Sequence, residues 1–415
     1  MYASAHPASA PSHCKNGKGR RNFSCARMKG FLTLTSVRAR WVASERSGKL
    51  IMRRPVQKFA ILILCLFFGR GFLSVSAANR ATRTRLRRAR VARSYFDPGK
   101  DDVTSFDDPL IRDIALDALG HEKGSVVAVD PTDGRILAVV NQKMAFSAGF
   151  EPCSTIKPFI ALAALEEGII TRETMIRVGS RRYMDLTEAM AHSNNRFFEE
   201  VGTRLGFDRV IKYDHMFGLG QRVGSDIPEE QPGSLPSHPP VFGGVARMSS
   251  FGAGIRITPF QLASLVSMLA NGGTQYYLQY PRTQEERLHF VPRVREKFDI
   301  QPLLPEIRQG MLAAVLYGTA KQSYDPDGEQ TLGKTGTCND EGVGGRLGWF
   351  VSYADQANPK IVLVVLLHGG ARIISGPHAS EIAGRIYHTL YQRNYFVDEN
   401  SREAVGDVAS GGVSH

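Results

Sequence analysis

The chain has 415 residues, a formal net charge of +12 and 42% hydrophobic residues, enough length for two or three domains. The basic excess is confined to the start of the chain: residues 1–94 carry 21 Lys and Arg against one acid, Glu45. Residues 95–415 carry 31 basic and 39 acidic side chains, a net charge of −8. A nucleic-acid-binding domain would cluster Lys and Arg on its folded part, so this distribution argues against a nucleic-acid partner.

Residues 52–77 have the pattern of an export signal. Three basic side chains between Met52 and Lys58 precede ten consecutive apolar residues, 59–68, and residues 75–77 are a small-residue cleavage site. Ten apolar residues span only about half of a bilayer core, which favours a cleaved signal peptide over a retained membrane anchor. We therefore expect the folded part in the cell envelope, in the periplasm or another extracytoplasmic space, either exported or anchored to the inner membrane.

Composition divides the rest of the chain into four segments. Residues 1–51 are expected to be a disordered extension or to precede the true start at Met52. Residues 78–122 are expected to be a basic linker, either solvated or in contact with anionic lipid or acidic wall polymer. Residues 123–397 form the folded domain, and 398–415, rich in Ser and Gly, are expected to be loosely structured.

The folded domain is predicted to begin and end with strands. Apolar, β-branched runs predict strands at 125–129, 135–140, 330–337, 347–353 and 360–367. Between them the chain is predicted to be mostly helical, with helices at 154–168, 186–205 and 258–269 and a last helix at 379–392. Strands at both ends imply one sheet that joins the two ends of the domain. The expected fold class is α/β, an antiparallel sheet flanked by helices with an all-helical subdomain.

Three short polar strings follow one another along this domain: Ser154-Thr155-Ile156-Lys157, Ser193-Asn194-Asn195 and Lys334-Thr335-Gly336. They provide a serine nucleophile, an amine to accept its proton, a hydroxyl-and-amide pair and a cationic strand, which suffice for acyl transfer through a serine ester. A second Ser-x-x-Lys at 12–15 shows that the first string alone is weakly specific. Ser-x-Asn and Lys-Thr-Gly each occur once, so the combination carries the prediction.

The first two strings contain the predicted catalytic groups. Ser154 and Lys157 are three residues apart at a helix start, so both side chains project from one face. We expect Ser154 Oγ to be the nucleophile and Lys157 its base, with burial and the nearby Lys334 lowering the pKa of Lys157 towards neutrality. Ser193 is expected to relay the proton to the leaving amine, while Asn195 binds a substrate amide and holds Lys157.

The third string is expected to be an edge strand that lines the cleft. Gly336 would leave one wall bare, so that a substrate backbone can approach. The hydroxyls of Thr335 and Thr337, together with Lys334, are expected to bind a terminal carboxylate of the substrate. The histidines lack the spacing of metal ligands, so neither a metal nor another cofactor is expected.

From about 123 to 392 the chain resembles the transpeptidase domain of penicillin-binding proteins, especially the class B, monofunctional kind. The three strings are the signature of penicillin-binding proteins and serine β-lactamases. The resemblance extends to further segments, at 151–159, 217–229, 258–263, 270–273 and 348–351. It implies the penicillin-binding protein and serine β-lactamase-like fold, and an oxyanion hole formed by the backbone N–H groups of Ser154 and Thr337.

The resemblance also implies a function. It predicts a D,D-transpeptidase that cross-links peptidoglycan stem peptides ending in D-Ala-D-Ala through an acyl-enzyme, with β-lactams as inhibitors and cell-wall synthesis proteins as partners. A D,D-carboxypeptidase and a serine β-lactamase are the hydrolytic alternatives. The chain has no Glu-x-x-Leu-Asn string of the class A β-lactamases after the second motif, and Asn195 stands where class D enzymes have Val. The alternative of another class is a non-catalytic sensor or scaffold that binds β-lactam or wall peptide.

Two features depart from the family pattern. Cys153 stands where the family usually has Gly, and Cys338 follows Gly336 by two residues. If the motifs converge, the two sulfurs lie close, and we hypothesise a disulfide, two buried free thiols being the alternative. Class B members also usually carry a sizeable module before this domain, whereas about 45 residues separate Ala77 from the first predicted strand, which leaves the usual partner docking open.

Overall fold

The computed structural model describes residues 96–354 and 357–397. The predicted extension, the predicted signal peptide or anchor and the predicted tail at 398–415 lie outside the described residues. Within the described ranges, no helix is both long enough and apolar enough to cross a bilayer.

The described part of the chain alternates between strands and helices. The strands are β1 (Gly124–Val129), β2 (Ile136–Val140), β3 (Ile176–Arg177), β4 (Tyr183–Met184), β5 (Thr274–Tyr276), β6 (Val294–Lys297), β7 (Thr331–Asn339), β8 (Arg346–Ala354) and β9 (Ile361–Gly369). The helices are α1 (Pro109–Leu119), α2 (Gln142–Ala145), α3 (Lys157–Glu166), α4 (Leu186–Ala191), α5 (Asn195–Leu205), α6 (Phe207–Met216), α7 (Gly244–Phe251), α8 (Pro259–Asn271), α9 (Gln284–Leu288), α10 (Leu304–Leu316) and α11 (Gly376–Gln392). Short 3₁₀ helices lie at Cys153–Ile156, Gln301–Leu303 and Lys321–Ser323.

Five strands form one antiparallel sheet in the order β2-β1-β9-β8-β7. Val126 of β1 lies opposite Val140 of β2 on one side and Val365 of β9 on the other. Because β1 and β9 come from opposite ends of the domain, their pairing closes the fold, as the sequence predicted. Strand β7 lies at the free edge and pairs with β8, where Lys334 is opposite Val351.

Helices cover both faces of this sheet, which confirms the predicted fold class. On one face α1 and α11 pack on strand residues such as Val126, Leu363 and Val365. On the other face the larger core contains α3 and α8 together with Val127 and Trp349. The strands are apolar throughout because successive side chains enter two different cores.

The segment expected to be a linker, 78–122, is folded in its C-terminal part. Asp108 caps α1 by accepting a hydrogen bond from Ile111 N, and Ile111 is buried against the sheet. Arg112 is buried and paired with Asp102 at 2.8 Å and Asp107 at 2.7 Å. The structured part therefore begins before residue 123. The Arg-rich stretch just upstream dominates the composition and hides the short amphipathic pattern of α1.

The helical subdomain differs from the prediction in two respects. The single helix predicted at 186–205 is wrong, because the chain leaves helical geometry between α4 and α5, where Ser193 has a φ of 52°. Two small antiparallel pairs, β3–β4 and β5–β6, also lie among the helices. The strands of both pairs are too short to produce a clear alternating pattern in the sequence.

Candidate active site

Ser154 lies in the 3₁₀ helix Cys153–Ile156, and α3 begins at Lys157. With about three residues per turn, a 3₁₀ helix brings residues i and i+3 to the same side, which places Ser154 and Lys157 together. Pro158 falls in the first turn of α3, where the missing N–H costs least. Lys157 is fully buried and Ser154 is 7% exposed, so both side chains lie below the protein surface.

The segment before the nucleophile is held by several contacts. Trp349 Nε1 of β8 donates a hydrogen bond to Glu151 O at 2.9 Å. Pro152 O accepts from both the backbone N, at 3.1 Å, and Oγ1, at 2.6 Å, of Thr155. These bonds satisfy the backbone groups at the start of the helix and fix the direction in which Ser154 projects.

Cys153 and Cys338 form a disulfide, which confirms the hypothesised pairing over two free thiols. Their Cα atoms are 5.6 Å apart and the bond joins residues separated by 185 positions. Cys153 has a φ of 51°, in the left-handed region that favours glycine. The bond therefore links a conformationally restricted residue beside the nucleophile to strand β7.

The turn between α4 and α5 carries the second motif. Asn194 caps α5 by accepting a hydrogen bond from Phe197 N at 3.0 Å, so its side chain points away from the cleft, as expected. Lys157 Nζ donates to Ser193 O at 2.7 Å and to Asn195 Oδ1 at 2.7 Å, and lies 3.1 Å from Ser193 Oγ. The left-handed backbone at Ser193 makes this convergence geometrically feasible, because a continuous helix would keep Ser193 O in the helical hydrogen-bond ladder.

Two buried amines share the hydroxyl of Ser193. Lys334 Nζ donates to Ser193 Oγ at 2.8 Å and to Thr335 O at 2.7 Å. Burial, followed by the nearby Lys334, holds the pKa of Lys157 well below its usual range, and Glu199 opposes this weakly. Burial lowers the pKa of Lys334 to about 7. Lys334 is thus able to exchange protons near neutral pH, the neutral form of Lys157 is favoured, and Ser193 bridges the two amines.

The nucleophile itself is not yet bonded to its predicted base. Among the described residues, Ser154 Oγ has no hydrogen-bond partner, and the polar contacts of Lys157 Nζ are all to Ser193 and Asn195. Catalytic hydrogen bonds often tighten only when the substrate binds, so a long nucleophile–base distance is compatible with catalysis.

Side chains alternate along β7. Those of Lys334 and Cys338 point towards the helical subdomain, where they meet Ser193 and Cys153. Thr335 and Thr337 therefore point to the opposite face, because successive strand residues alternate. The Lys334 amine and the two threonine hydroxyls, which were expected to bind one carboxylate together, thus lie on opposite faces of β7.

The hydroxyls of both threonines have partners that the sequence analysis missed. Thr335, only 3% exposed, has its Oγ1 2.6 Å from Thr319 Oγ1. Thr337 Oγ1 accepts a hydrogen bond from Gly376 N, in the first turn of α11, at 2.7 Å. This bond leaves the hydroxyl proton of Thr337 available for a ligand. No pattern in the sequence marks Thr319 or Gly376, because each acquires its place only when the ends of α10 and α11 dock on β7.

Gly336 has a different role from the one expected. A Cβ at this position would lie 3.1 Å from Pro152 O, 3.1 Å from Thr155 Cγ2 and 3.3 Å from Cys153 Cβ. The space assigned to a substrate backbone is therefore filled by the nucleophile segment. The glycine allows β7 to approach Ser154 closely, which brings the backbone of Thr337 to the cleft.

Cavity size does not mark this site. Two cavities among the described residues, of about 1430 Å³ and 830 Å³, are lined by none of the predicted site residues. Within the described ranges, no three His, Cys, Asp or Glu side chains are grouped so as to hold a metal ion. The site is recognised by the convergence of the three motifs.

Comparison with known proteins agrees with this geometry. The family model described as the penicillin binding protein transpeptidase domain matches residues 124–392. The peptidoglycan D,D-transpeptidase MrdA of Haemophilus influenzae is 26% identical over 397 residues, which cover 75% of this chain and 59% of that protein. The stage V sporulation protein D of Bacillus subtilis is 26% identical over 315 residues, which cover 64% of this chain and 49% of that protein. The chain thus spans about half to three fifths of the length of these curated relatives.

A solved structure shows the same fold. The transpeptidase domain of Burkholderia pseudomallei penicillin-binding protein 3 superposes with a TM-score of 0.60 at 24% identity, covering 71% of this chain and 98% of that one. The fold, the family match and the convergence of the motifs lead to one assignment. This chain belongs to the penicillin-binding protein transpeptidase domain family.

Proposed function

We propose that this protein is a serine D,D-transpeptidase that cross-links peptidoglycan stem peptides. One observation carries the proposal: the Ser193 hydroxyl contacts the buried amines of both Lys157 and Lys334. Lys157 follows Ser154 by one helical turn. A hydroxyl nucleophile needs a neutral amine as its base, and burial supports the neutral form. The curated relatives that carry the name peptidoglycan D,D-transpeptidase support the same activity.

In the first step Ser154 Oγ attacks the carbonyl carbon of the penultimate D-Ala while Lys157 takes the hydroxyl proton. The backbone N–H groups of Ser154 and Thr337 stabilise the oxyanion, and losing one such donor typically costs about 100- to 1,000-fold in rate. The proton passes from Lys157 through Ser193 to the departing amine. Terminal D-Ala then leaves, and the rest of the peptide is held as an ester on Ser154.

In the second step the amine of a neighbouring stem peptide attacks the ester, and Lys157 accepts its proton. The new amide is the cross-link, and Ser154 recovers its hydroxyl. Asn195 Oδ1 is bonded to Lys157, so its NH₂ group is directed elsewhere and is available to a substrate carbonyl. Thr337, whose hydroxyl proton is available, is the proposed hydroxyl donor to the terminal carboxylate and Lys334 supplies positive charge, whereas the hydroxyl of Thr335 is held by Thr319.

The proposed substrate sets the proposed location. Stem peptides ending in D-Ala-D-Ala lie in the cell envelope, so we place the protein in the periplasm or another extracytoplasmic space, exported or held close to the inner membrane. This agrees with the export pattern at 52–77 and with a disulfide, which persists in oxidising compartments. β-Lactams are the proposed inhibitors, cell-wall synthesis proteins are the proposed partners, and no nucleic acid takes part.

Labelling of the full chain with a fluorescent penicillin tests the proposal. We expect a lasting adduct that mass spectrometry locates on Ser154 and that Ser154→Ala abolishes. Ser12→Ala, which removes the serine of the other Ser-x-x-Lys string, is the matched control and should label like the wild type. Absence of labelling in the wild type would refute the enzymatic proposal.

The second step is tested with a D-Ala-D-Ala peptide, with and without an acceptor amine. A cross-linked product that requires the acceptor supports the transpeptidase. Release of D-Ala without any cross-linked product would identify a D,D-carboxypeptidase instead. Rapid turnover of penicillin to penicilloate would identify a β-lactamase, and a lasting adduct with no peptide product would identify a sensor.

A further inference from the structure

The disulfide lies between the two proposed oxyanion donors. Cys153 directly precedes Ser154, and Cys338 directly follows Thr337, so each cysteine is bonded through the backbone to a residue whose N–H faces the oxyanion. Gly336 packs tightly against this segment, where an added Cβ would lie 3.3 Å from Cys153 Cβ. The covalent bond therefore controls the separation of the two strands of chain that form the oxyanion hole.

The two sulfurs differ in access to other molecules. Cys153 is completely buried, whereas Cys338 is partly exposed near the end of edge strand β7. Thiol–disulfide exchange requires that an attacking thiolate reach one sulfur along the line of the bond. Cys338 is the residue of the pair that has surface exposed to solvent, whereas Cys153 is enclosed.

Glu151 contacts both cysteines. Its carboxyl Oε2 lies 3.9 Å from Cys338 Sγ, and its backbone O lies 3.6 Å from Cys153 Sγ. In the reduced protein each thiol would thus find an oxygen acceptor for its proton. Glu151 is only 7% exposed, and its carboxyl group lies beside a disulfide sulfur. This carboxyl group has no role in the acyl transfer described above.

The charges around Glu151 tune this carboxyl group. The pKa of Glu151 is raised to about 7, with burial as the largest cause and the neighbouring charges of Asp340 and Glu341 acting in the same direction. Arg256 and Arg247 act in the opposite direction, Arg256 being paired with Asp340 at 2.7 Å and Arg247 with Glu341 at 2.7 Å. The carboxyl group is therefore able to take up and release a proton near neutral pH.

We propose that Cys153–Cys338 is a reversible thiol–disulfide exchange site, in which Glu151 carries the proton of Cys338, and that its oxidised form positions the oxyanion donors of Ser154 and Thr337. The partner is a disulfide oxidant in one direction and a dithiol reductant in the other. The positioning part rests on the proposed function, whereas the exchange part does not.

The oxidation proceeds in two balanced exchanges. Glu151 takes the proton of the Cys338 thiol, and the thiolate attacks one sulfur of the oxidant, whose other sulfur leaves as a thiolate. That leaving thiolate then takes up the proton held by Glu151. The Cys153 sulfur attacks Cys338 Sγ and its proton passes to the second leaving sulfur of the oxidant, which forms the internal disulfide and leaves the oxidant as a dithiol. Two electrons and two protons pass from the cysteines to the oxidant, and a dithiol reverses both exchanges.

The pH dependence of reoxidation tests the exchange part. The full chain is reduced while folded and treated with oxidised glutathione from pH 5.5 to about 9, the range that spans carboxyl and thiol ionisation. Peptide mapping after alkylation separates Cys153 and Cys338 from the cysteines at 14, 25 and 65. We expect Glu151→Gln to slow formation of the internal disulfide about tenfold at pH 7 and to move the rate profile towards the ordinary thiol pKa of about 8.5.

Glu285→Gln is the control, since it removes an exposed carboxyl group that is not among the charges acting on Glu151, and it should leave the profile unchanged. A purely structural role of Glu151 would alter stability but not the pH at which the rate rises. Superimposable profiles for the wild type and Glu151→Gln would overturn the proton-carrier assignment. Two free thiols at 153 and 338 in the folded protein after treatment would overturn the exchange site altogether.

Penicillin labelling of the oxidised and reduced wild type tests the positioning part. We expect reduction to lower the second-order rate of Ser154 acylation about tenfold, with circular dichroism unchanged. The double variant Cys153→Gly/Cys338→Ser should give one rate that neither reagent alters. Equal rates for the oxidised and reduced wild type would overturn the positioning role. If the oxidised chain is not labelled at all, the proposed function and the positioning role fail together, while the reoxidation rates still decide the exchange site.

Discussion

Replacing Lys334 by Gln should move the pH dependence of Ser154 acylation to higher pH. In the proposed mechanism, Lys157 accepts the proton of Ser154 only when its own amine is neutral. A positive charge on Lys334 disfavours a second positive charge on Lys157 and so lowers the pKa of that amine. Gln is uncharged and still carries an N–H donor for Ser193, so the variant removes the charge while keeping a hydrogen-bonding group.

The structure gives the magnitude. Both Nζ atoms contact Ser193 Oγ, Lys157 at 3.1 Å and Lys334 at 2.8 Å. The two nitrogens are then about 5 Å apart, and two unit charges at this distance repel each other by about 3 kcal/mol at an effective dielectric constant of about 20. That energy corresponds to about two pKa units for full charges. Because burial lowers the pKa of Lys334 to about 7, its charge is partial at neutrality, and we expect a displacement of one to about two pH units.

The assay is the second-order rate of labelling by a fluorescent penicillin, measured from pH 5 to about 9 to span the lowered amine pKa values. The maximal rate is expected to fall in Lys334→Gln, but the diagnostic quantity is the midpoint of the rising limb. Lys321→Gln, at an exposed lysine, is the control and should keep the wild-type midpoint. A midpoint in Lys334→Gln that equals or lies below that of the wild type would refute the electrostatic coupling.

Three further predictions concern stability and packing. Asp214 is fully buried, Oδ2 has no partner among the described residues, and burial raises its pKa to about 8. The pKa of Asp214 is higher in the folded than in the unfolded protein, so the free energy of unfolding decreases as pH rises from about 4 to 8. Asp214→Asn should therefore raise the free energy of unfolding by about 2 kcal/mol at pH 8 but little at pH 4, as measured by urea unfolding. Gly336→Ala should slow acylation about tenfold and cost about 1 kcal/mol, because its Cβ meets the nucleophile segment, whereas Gly370→Ala, which has open space, should do neither. Arg112→Met should destabilise the fold by about 3 kcal/mol or more, because it leaves two buried carboxylates unpaired. Arg172→Met, at an exposed ion pair of 3.8 Å, should destabilise it by less than about 0.5 kcal/mol. Equal urea midpoints for the two arginine variants would show that α1 is not part of the cooperative unit.

The sequence was sufficient to predict the five-stranded sheet. The five long strands are apolar, β-branched and bounded by turn residues, and a strand buried on both faces shows this pattern regardless of its neighbours. The three motifs are rare in combination, so their order was informative without any knowledge of distances. The proximity of Cys153 and Cys338 followed as a hypothesis from the convergence of the motifs that contain them.

Other features were decided by tertiary packing. The break at Ser193 was missed because serine itself seldom adopts the left-handed region, although Asn194 and Asn195 directly after it are typical of turns and helix N-caps. The role of Gly336 depended on which element fills the space beside it. The structure places the segment around Ser154 there, rather than leaving the space open for a substrate.

Local pattern thus determined which residues are buried and which chemistry is present. Only the folded chain decided which groups touch: two amines on one Ser193 hydroxyl, and the Glu151 carboxyl group beside the Cys338 sulfur. The physical reason is that periodicity reports the solvent exposure of a residue, while the identity of its neighbours depends on contacts between segments that are 36 to 187 residues apart in these cases.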